Sequence, residues 1–193
     1  AAVGHFGRVD ILINNAGILR DKSFLKTDDE TWRTVLDVHL KGTFLVSQAA
    51  VAQMIKQGEG GKIVNTTSVS GMLGNFGQAN YAAAKAGIYG LSRTMGIELQ
   101  KHRITVNAIA PIAKTRMTED LSMFQGVTTL TPEHVAPVAV FLGSSLSGDK
   151  TGYVVAVACA NENASCSSDA RATINVSGTH AAFDFAQAGA FGD

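Results

Sequence analysis

An α/β domain built on a doubly wound parallel sheet is expected here, and three observations carry that expectation. Short β-branched runs alternate with long helical patterns in the order strand, helix, strand, helix, strand, helix, strand. The runs are apolar almost throughout, as in strands covered on both faces. With 46% hydrophobic and 17% charged residues, the 193-residue chain can bury a substantial core, enough for one domain rather than two.

The first strand is read in "RVDILINNAG", where Val9, Ile11, Leu12 and Ile13 run up to an Asn-Asn-Ala-Gly turn. Thr27-Asp28-Asp29-Glu30 has the Thr-x-x-Glu spacing of a capping box. Apolar residues from Trp32 to Leu45 then recur at helical intervals. They predict one long helix from about Asp28 to about Gln57, closed by "GEGG". "KIVNTTS" is the second strand, and "ANYAAAKAGIYGLSRTMGIELQKH", rich in good helix formers, is the second long helix. "ITVNAIAP" gives a third strand ending at Pro111. Thr131 at a cap and Pro132 at the first helical position open the third helix, which Pro137 is placed to bend. "GYVVAVA" is the fourth strand. Residues 1–158 thus form the domain. From about Cys159 the chain turns small, polar and weakly patterned, which predicts an irregular tail over 159–193 with "ATINVSG" as a short strand inside it.

Sixteen basic residues balance sixteen acidic ones, so no charge excess recruits nucleic acid or an anionic membrane surface. No apolar run approaches the roughly 18 residues of a membrane-spanning helix, and the opening residues do not read as a signal peptide. Neither partner class is expected. Cys159 and Cys166 have no CxxC spacing and the five histidines are scattered, so no metal site is expected and a reducing, intracellular setting is favoured. Asn163-Ala-Ser and Asn175-Val-Ser match the glycosylation pattern and are read as chance matches.

The chemistry concentrates in "SVSGMLGNFGQANYAAAKAG", residues 68–87. Tyr81 falls in the first turn of the second long helix, and Lys85 follows one turn later on the same face. A free tyrosine titrates near pH ~10. An ammonium within a few ångströms would favour its phenolate and let Tyr81 work as an acid or base near neutrality. Ser68 follows the end of the second strand, where ligands bind in doubly wound sheets. Its hydroxyl can hydrogen-bond a substrate oxygen while Tyr81 exchanges the proton. Tyr-x-x-x-Lys by itself equally describes a surface tyrosine beside a snorkelling lysine. The serine after one strand and the Asn-Asn-Ala-Gly turn after another favour the site.

"NNAG" at 14–17, Ser68, "YAAAK" at 81–85 and "VNAIAP" at 106–111 together resemble the short-chain dehydrogenase/reductase family, in that family's order. The resemblance covers about residues 1–158 and implies a Rossmann-like fold, here incomplete. "NNAGILRDKSF", "VHLKGTF", "GNFGQANYAAAKAG" and "IAPIAKTRMT" are similar to one branch of it. That branch comprises the (3R)-hydroxyacyl-CoA dehydrogenase parts of peroxisomal multifunctional enzymes of β-oxidation and their bacterial relatives. It implies NAD-dependent oxidation of a 3-hydroxyacyl thioester, with 3-oxoacyl-carrier-protein reduction by NADPH as the alternative. Ser68, Tyr81, Lys85 and His39 would be the catalytic set. Asn15, Ala16 and Gly17 would line the cofactor cleft, and Lys85 would hold the nicotinamide ribose beside Tyr81. Pro111, Ile112 and Thr115 would lie near the nicotinamide carboxamide. A homodimer through the apolar faces of 44–55 and 82–97, in the cytoplasm or the peroxisome, would follow.

Two departures from the family pattern matter. His39, in "DVHLKG", stands where most members have an asparagine that supports the lysine through water. The branch named above also has histidine there, and ordinary helix packing is the competing reading. Second, the family's Gly-rich turn for the cofactor pyrophosphate, and the acidic residue for the adenosine ribose, are not found in these residues. Glycines 58, 60 and 61 precede a strand instead of following one. NAD and NADP therefore cannot be told apart by sequence. The expectation is a fragment or truncated product with an unrelated tail. A non-catalytic binding or dimerisation module is the reading from outside the enzyme class.

Overall fold

A computed structural model describes residues 1–113, 131–157, 171–176 and 179–184, the last two stretches by backbone alone. Six strands form one sheet in the order β1 (Ile11–Asn14), β2 (Gly61–Thr66), β3 (Ile104–Pro111), β4 (Val154–Val157), β5 (Arg171–Val176) and β6 (Thr179–Asp184). The first four run parallel, with Leu12 opposite Ile63, Ile63 opposite Val106, and Ile109 opposite Val155. β5 and β6 join antiparallel. The stretch read as an irregular tail therefore contains two strands where one short one was expected. Cys159, Cys166 and Asn163 lie outside the described residues.

Strand alternation sends neighbouring residues to opposite faces, and the core divides accordingly. On one face Ile63, Ile104 and Val106 pack with Met54, backed by Val51, Met95 and Leu99. These last residues come from α3 (Gly42–Gln57) and the region of α5 (Ala79–Glu98). On the other face Val64, Ile109, Val155 and Val157 pack with Val138 and Leu142 of α6 (Ala136–Gly143). Helices cover both faces of the sheet. β1 departs from the fully buried strand expected of it, because it is the edge of the described sheet. Leu12 packs inward, whereas Ile11 and Ile13 remain about half exposed.

Polar residues inside the strands are satisfied by one another. Asn14 Nδ2 donates to Asn65 Oδ1 at 2.8 Å and to Ser47 Oγ at 2.9 Å. Asn65 Nδ2 donates to Ser92 Oγ at 2.8 Å, and Ser92 Oγ donates to the Ile88 carbonyl. This chain of bonds ties β1 and β2 to α3 and α5, and it offsets the cost of burying amides.

The first long helix runs unbroken in direction but not in pitch. α2 (Asp29–Leu36) passes through a π turn at Asp37–Lys41 into α3. Its cap is Asp28 rather than Thr27: Thr31 N donates to Asp28 Oδ1 at 2.7 Å. Thr27 Oγ1 turns back instead to the Ser23 carbonyl. The third helix also starts later than expected. Pro132–His134 form a single 3-10 turn, and α6 begins anew at Ala136 with Pro137 in its first turn. There the missing N–H costs nothing, so Pro137 starts a helix instead of bending one. α4 (Ser70–Leu73) is one turn wedged beside α5. It can approach because residue 71 is glycine: a Cβ there would sit 2.7 Å from Ala86 N.

Ile63 is fully buried in the densest part of the α3 face. Ile63→Ala is expected to cost about 2–5 kcal/mol, read as a lower urea midpoint at unchanged slope.

Candidate active site

The carboxyl ends of β1, β2 and β3 open into a cavity of about 430 Å³. Each strand contributes its last residues: Ile13, Asn15 and Gly17 after β1, Thr66, Thr67 and Ser68 after β2, and Ile109, Pro111 and Ala113 from β3. The first two turns of α5 add Tyr81 and Lys85, and the start of α6 closes the far side with Val135, Ala136 and Ala139. A ligand cleft is expected at this end of a doubly wound sheet.

Lys85 is the most constrained of these groups. Only 3% of it is exposed, and its Nζ donates to the Thr66 carbonyl at 2.7 Å. Thr67 Oγ1 returns a bond to the Lys85 carbonyl at 2.6 Å. Burial disfavours the ammonium and lowers its pKa from the ordinary 10.5 to about 8. An ammonium has three donors. Thr66 takes one, which leaves two at the cavity wall.

Tyr81 stands beside it, with Lys85 Nζ 5.5 Å from the ring centroid. A side-chain hydrogen bond joins Tyr81 to Ser68, whose Oγ also accepts from Ser70 N at 3.2 Å. Burial pushes the Tyr81 phenol up from its ordinary value; the Ser68 bond pulls it down and the Asp21 charge adds to the rise. The sequence reading expects the Lys85 ammonium to favour the phenolate; burial acts against both charged forms, lowering the lysine and raising the phenol.

His39 sits on the π turn, 2% exposed, its ring edge-on to Tyr81 with centroids 5.2 Å apart. Its Nε2 lies 3.0 Å from Ile18 N and 2.8 Å from the Ile18 carbonyl oxygen, so it braces the turn after β1. Its Nδ1 is buried without a hydrogen-bond partner among the described residues. Burial lowers its pKa, the backbone bond to Ile18 opposes this, and nearby Lys85 lowers it further. The ring is neutral at pH 7. Gly17 lies against it, and a Cβ at residue 17 would fall 2.4 Å from His39 Cε1. The ring is thus packed into the helix surroundings, as one of the two readings of His39 in the sequence expects.

Asn15 lines the cavity while its Oδ1 accepts from Thr66 Oγ1 at 3.0 Å. Two residues expected there do not line it. Ala16 points out to solvent, and Ile112 is bound through its N–H to the Val157 carbonyl at 2.8 Å. Thr115 lies outside the described residues. The sequence reading missed Thr66, Thr67 and Ile109, which only strand pairing brings to the rim, and the α6 wall, whose approach no local pattern signals.

The fold is that of a doubly wound α/β domain with a cleft at the carboxyl ends of its parallel strands, and comparison with known proteins gives its family. The family model described as short chain dehydrogenase matches residues 1–126, and the chain belongs to that family of oxidoreductases. It is 50% identical over 144 residues to the peroxisomal hydratase-dehydrogenase-epimerase of Neurospora crassa, covering 75% of this chain and 16% of that one. The peroxisomal multifunctional enzyme type 2 of Drosophila melanogaster is 46% identical over 157 residues, 81% of this chain and 26% of the relative. The 3-oxoacyl-[acyl-carrier-protein] reductase FabG of Thermotoga maritima is 45% identical over 165 residues, 80% of this chain and 67% of the relative. A crystal structure of a short chain dehydrogenase from Mycobacterium avium superposes with a TM-score of 0.76 at 39% identity, covering 93% of this chain and 58% of that one. The chain thus spans roughly a sixth to a quarter of the two peroxisomal relatives.

Both buried bases give stability a pH signature. Between pH 8 and 10.5 the unfolded chain keeps the Lys85 proton that the folded chain has lost, so stability climbs with pH by up to the order of 3 kcal/mol. Thermal melts of the wild type and Lys85→Met across that window should show the climb in the first and not in the second. As pH falls through 6.5 the unfolded chain charges His39 first and stability is lost. His39→Gln should blunt that loss in the same melts.

Proposed function

We propose that this chain transfers hydride between a nicotinamide dinucleotide, NAD or NADP, and a secondary alcohol or ketone, and that the substrate is a 3-hydroxyacyl or 3-oxoacyl thioester. The observation that carries it is the convergence of Ser68, Tyr81 and Lys85 on one cavity at the carboxyl ends of parallel strands. The thioester rests on the names of the relatives, two of them peroxisomal multifunctional proteins and one a 3-oxoacyl-carrier-protein reductase.

The residues present fit the nicotinamide end of such a cofactor. Lys85 has two donors left for the ribose hydroxyls, Asn15 and Pro111 border the same cleft, and Ile13, Ile109 and Val135 supply apolar walls for a flat ring. When bound, the nicotinamide supplies the hydride donor or acceptor. Ser68 orients the substrate oxygen by a hydrogen bond. Tyr81 exchanges the proton with that same oxygen, taking it in oxidation and giving it in reduction. His39 and Gly17 shape the wall behind the tyrosine ring.

A second reading, reduction of a 3-oxoacyl group, has its own support. It rests on the 3-oxoacyl-[acyl-carrier-protein] reductase among the relatives. We also infer a homodimer through α3 and α5, since Phe44, Leu45, Val46 and Ile55 on the first and Ile97 on the second are substantially exposed. The relatives' names favour a peroxisomal or cytoplasmic setting, and residues 1–158 are taken as the catalytic unit. A binding module without turnover is the outcome that the assay below separates.

Absorbance of the reduced nicotinamide reports the reaction directly, with 3-hydroxybutyryl-CoA plus NAD in one direction and acetoacetyl-CoA plus NADPH in the other. Tyr81→Phe should lower kcat by about 100-fold to 10,000-fold, with KM little changed, because the lost group acts on the reacting oxygen. Absence of turnover in both directions at any protein concentration, with no nicotinamide bound by calorimetry, would overturn the enzyme reading in favour of the module.

A further inference from the structure

Two loops beside the cavity hold large apolar side chains out to solvent. Among the described residues, Leu25, Phe76, Leu73 and Phe24 are the most exposed large apolar side chains, at 94%, 91%, 82% and 78%. One loop follows the turn after β1, where Gly17 lines the cavity. The other joins Ser68 to Tyr81, which both line it, and carries Leu73 and Phe76. Three hydrogen bonds hold the two loops together. Lys22 N donates to the Gly77 carbonyl at 2.9 Å, Gln78 Nε2 to Asp21 Oδ2 at 2.9 Å, and Asn80 Nδ2 to the Arg20 carbonyl at 3.1 Å. α4 turns Gly71 onto α5 and leaves Leu73 in solvent. The backbone is tied down while the apolar side chains face water, which is the arrangement of a binding surface.

Charge narrows what such a surface takes. Residues 63–84 contain no Asp, Glu, Lys, Arg or His. On the other loop Lys22 is paired with Asp28 at 2.6 Å, and Asp21 is bound by Gln78. An uncharged apolar surface continuous with the cavity suits a hydrocarbon chain and offers little to a phosphate or carboxylate. We propose that these loops are an acyl-tail site: Leu73 and Phe76, with Phe24 and Leu25 on the loop bonded to theirs, receive the alkyl chain of the substrate where it leaves the Ser68 and Tyr81 end of the cavity. The inference rests on the substrate being an acyl thioester, and it names the feature that selects chain length. A short acyl group ends before the loops. Each further methylene that reaches them leaves water, a gain of about fourfold in affinity.

The test compares decanoyl-CoA with butyryl-CoA, which lack the 3-oxygen and cannot turn over, by calorimetry. It uses the wild type, the double variant Leu73→Ser with Phe76→Ser, and the double variant Phe24→Ser with Leu25→Ser. All four side chains are exposed, so serine there is expected to leave the fold intact. The wild type should bind the longer thioester about 10-fold to 100-fold more tightly, and each double variant should bring the two affinities together. With the 3-hydroxy compounds the same change should appear as a higher KM for 3-hydroxydecanoyl-CoA relative to 3-hydroxybutyryl-CoA. Equal wild-type affinities, or a preference that survives both double variants, would overturn the tail site; the thioester reading still stands if 3-hydroxybutyryl-CoA is oxidised. Failure to bind either thioester overturns both. Sedimentation of the same proteins covers the other occupant: a wild-type dimer that the substitutions dissociate, with the chain-length preference kept, assigns the loops to a second copy and overturns the tail site.

Discussion

The site is organised around one buried cation. Lys85 lies under the rim of the sheet with its ammonium on the Thr66 carbonyl, and Thr67 binds back to the Lys85 carbonyl. This pair of bonds fixes the angle at which α5 leaves the end of β2, and everything on the first turns of α5 inherits that placement. Gly71 lets α4 close against the same turn, which carries Ser68 up to Tyr81. Burying an ammonium costs stability, visible in its lowered pKa, and such costs persist where function requires them.

Around that cation the acidity of the phenol is a contest between solvation and hydrogen bonding. Removal of water from Tyr81 outweighs the bond from Ser68, and Asp21 acts with the desolvation. The same burial acts against the Lys85 ammonium, the charge that would favour the phenolate. Proximity of tyrosine and lysine on one helix face therefore does not by itself make the tyrosine acidic. Its protonation state is set by what seals the cavity as much as by which residues line it.

The wall opposite is complementary to the point of interdependence. The π turn at Asp37–Lys41 adds a residue to the helix and presents His39 inward, where it meets the Ile18 backbone and leaves space at Gly17 for no side chain. Such turns often occur at functional positions. The Asn-Asn-Ala-Gly turn is thereby held by three contacts at once: by the Asn14–Asn65 bond, by Thr66 on Asn15, and by His39.

Periodicity and spacing in the amino-acid order were enough to specify four parallel strands, two long helices, and the placement of Ser68, Tyr81 and Lys85 at the open end of the sheet. These follow from local rules: β-branched runs, helical repeats, and one turn between Tyr81 and Lys85. What folding alone settled are quantities set by neighbours distant in the chain. The half-exposed face of β1, the cap at Asp28, the late start of α6, the two strands beyond residue 170 and the upward push of burial on the Tyr81 phenol belong to this group. Solvent exclusion and pairing partners fix each of them, and neither is written in a local window of residues.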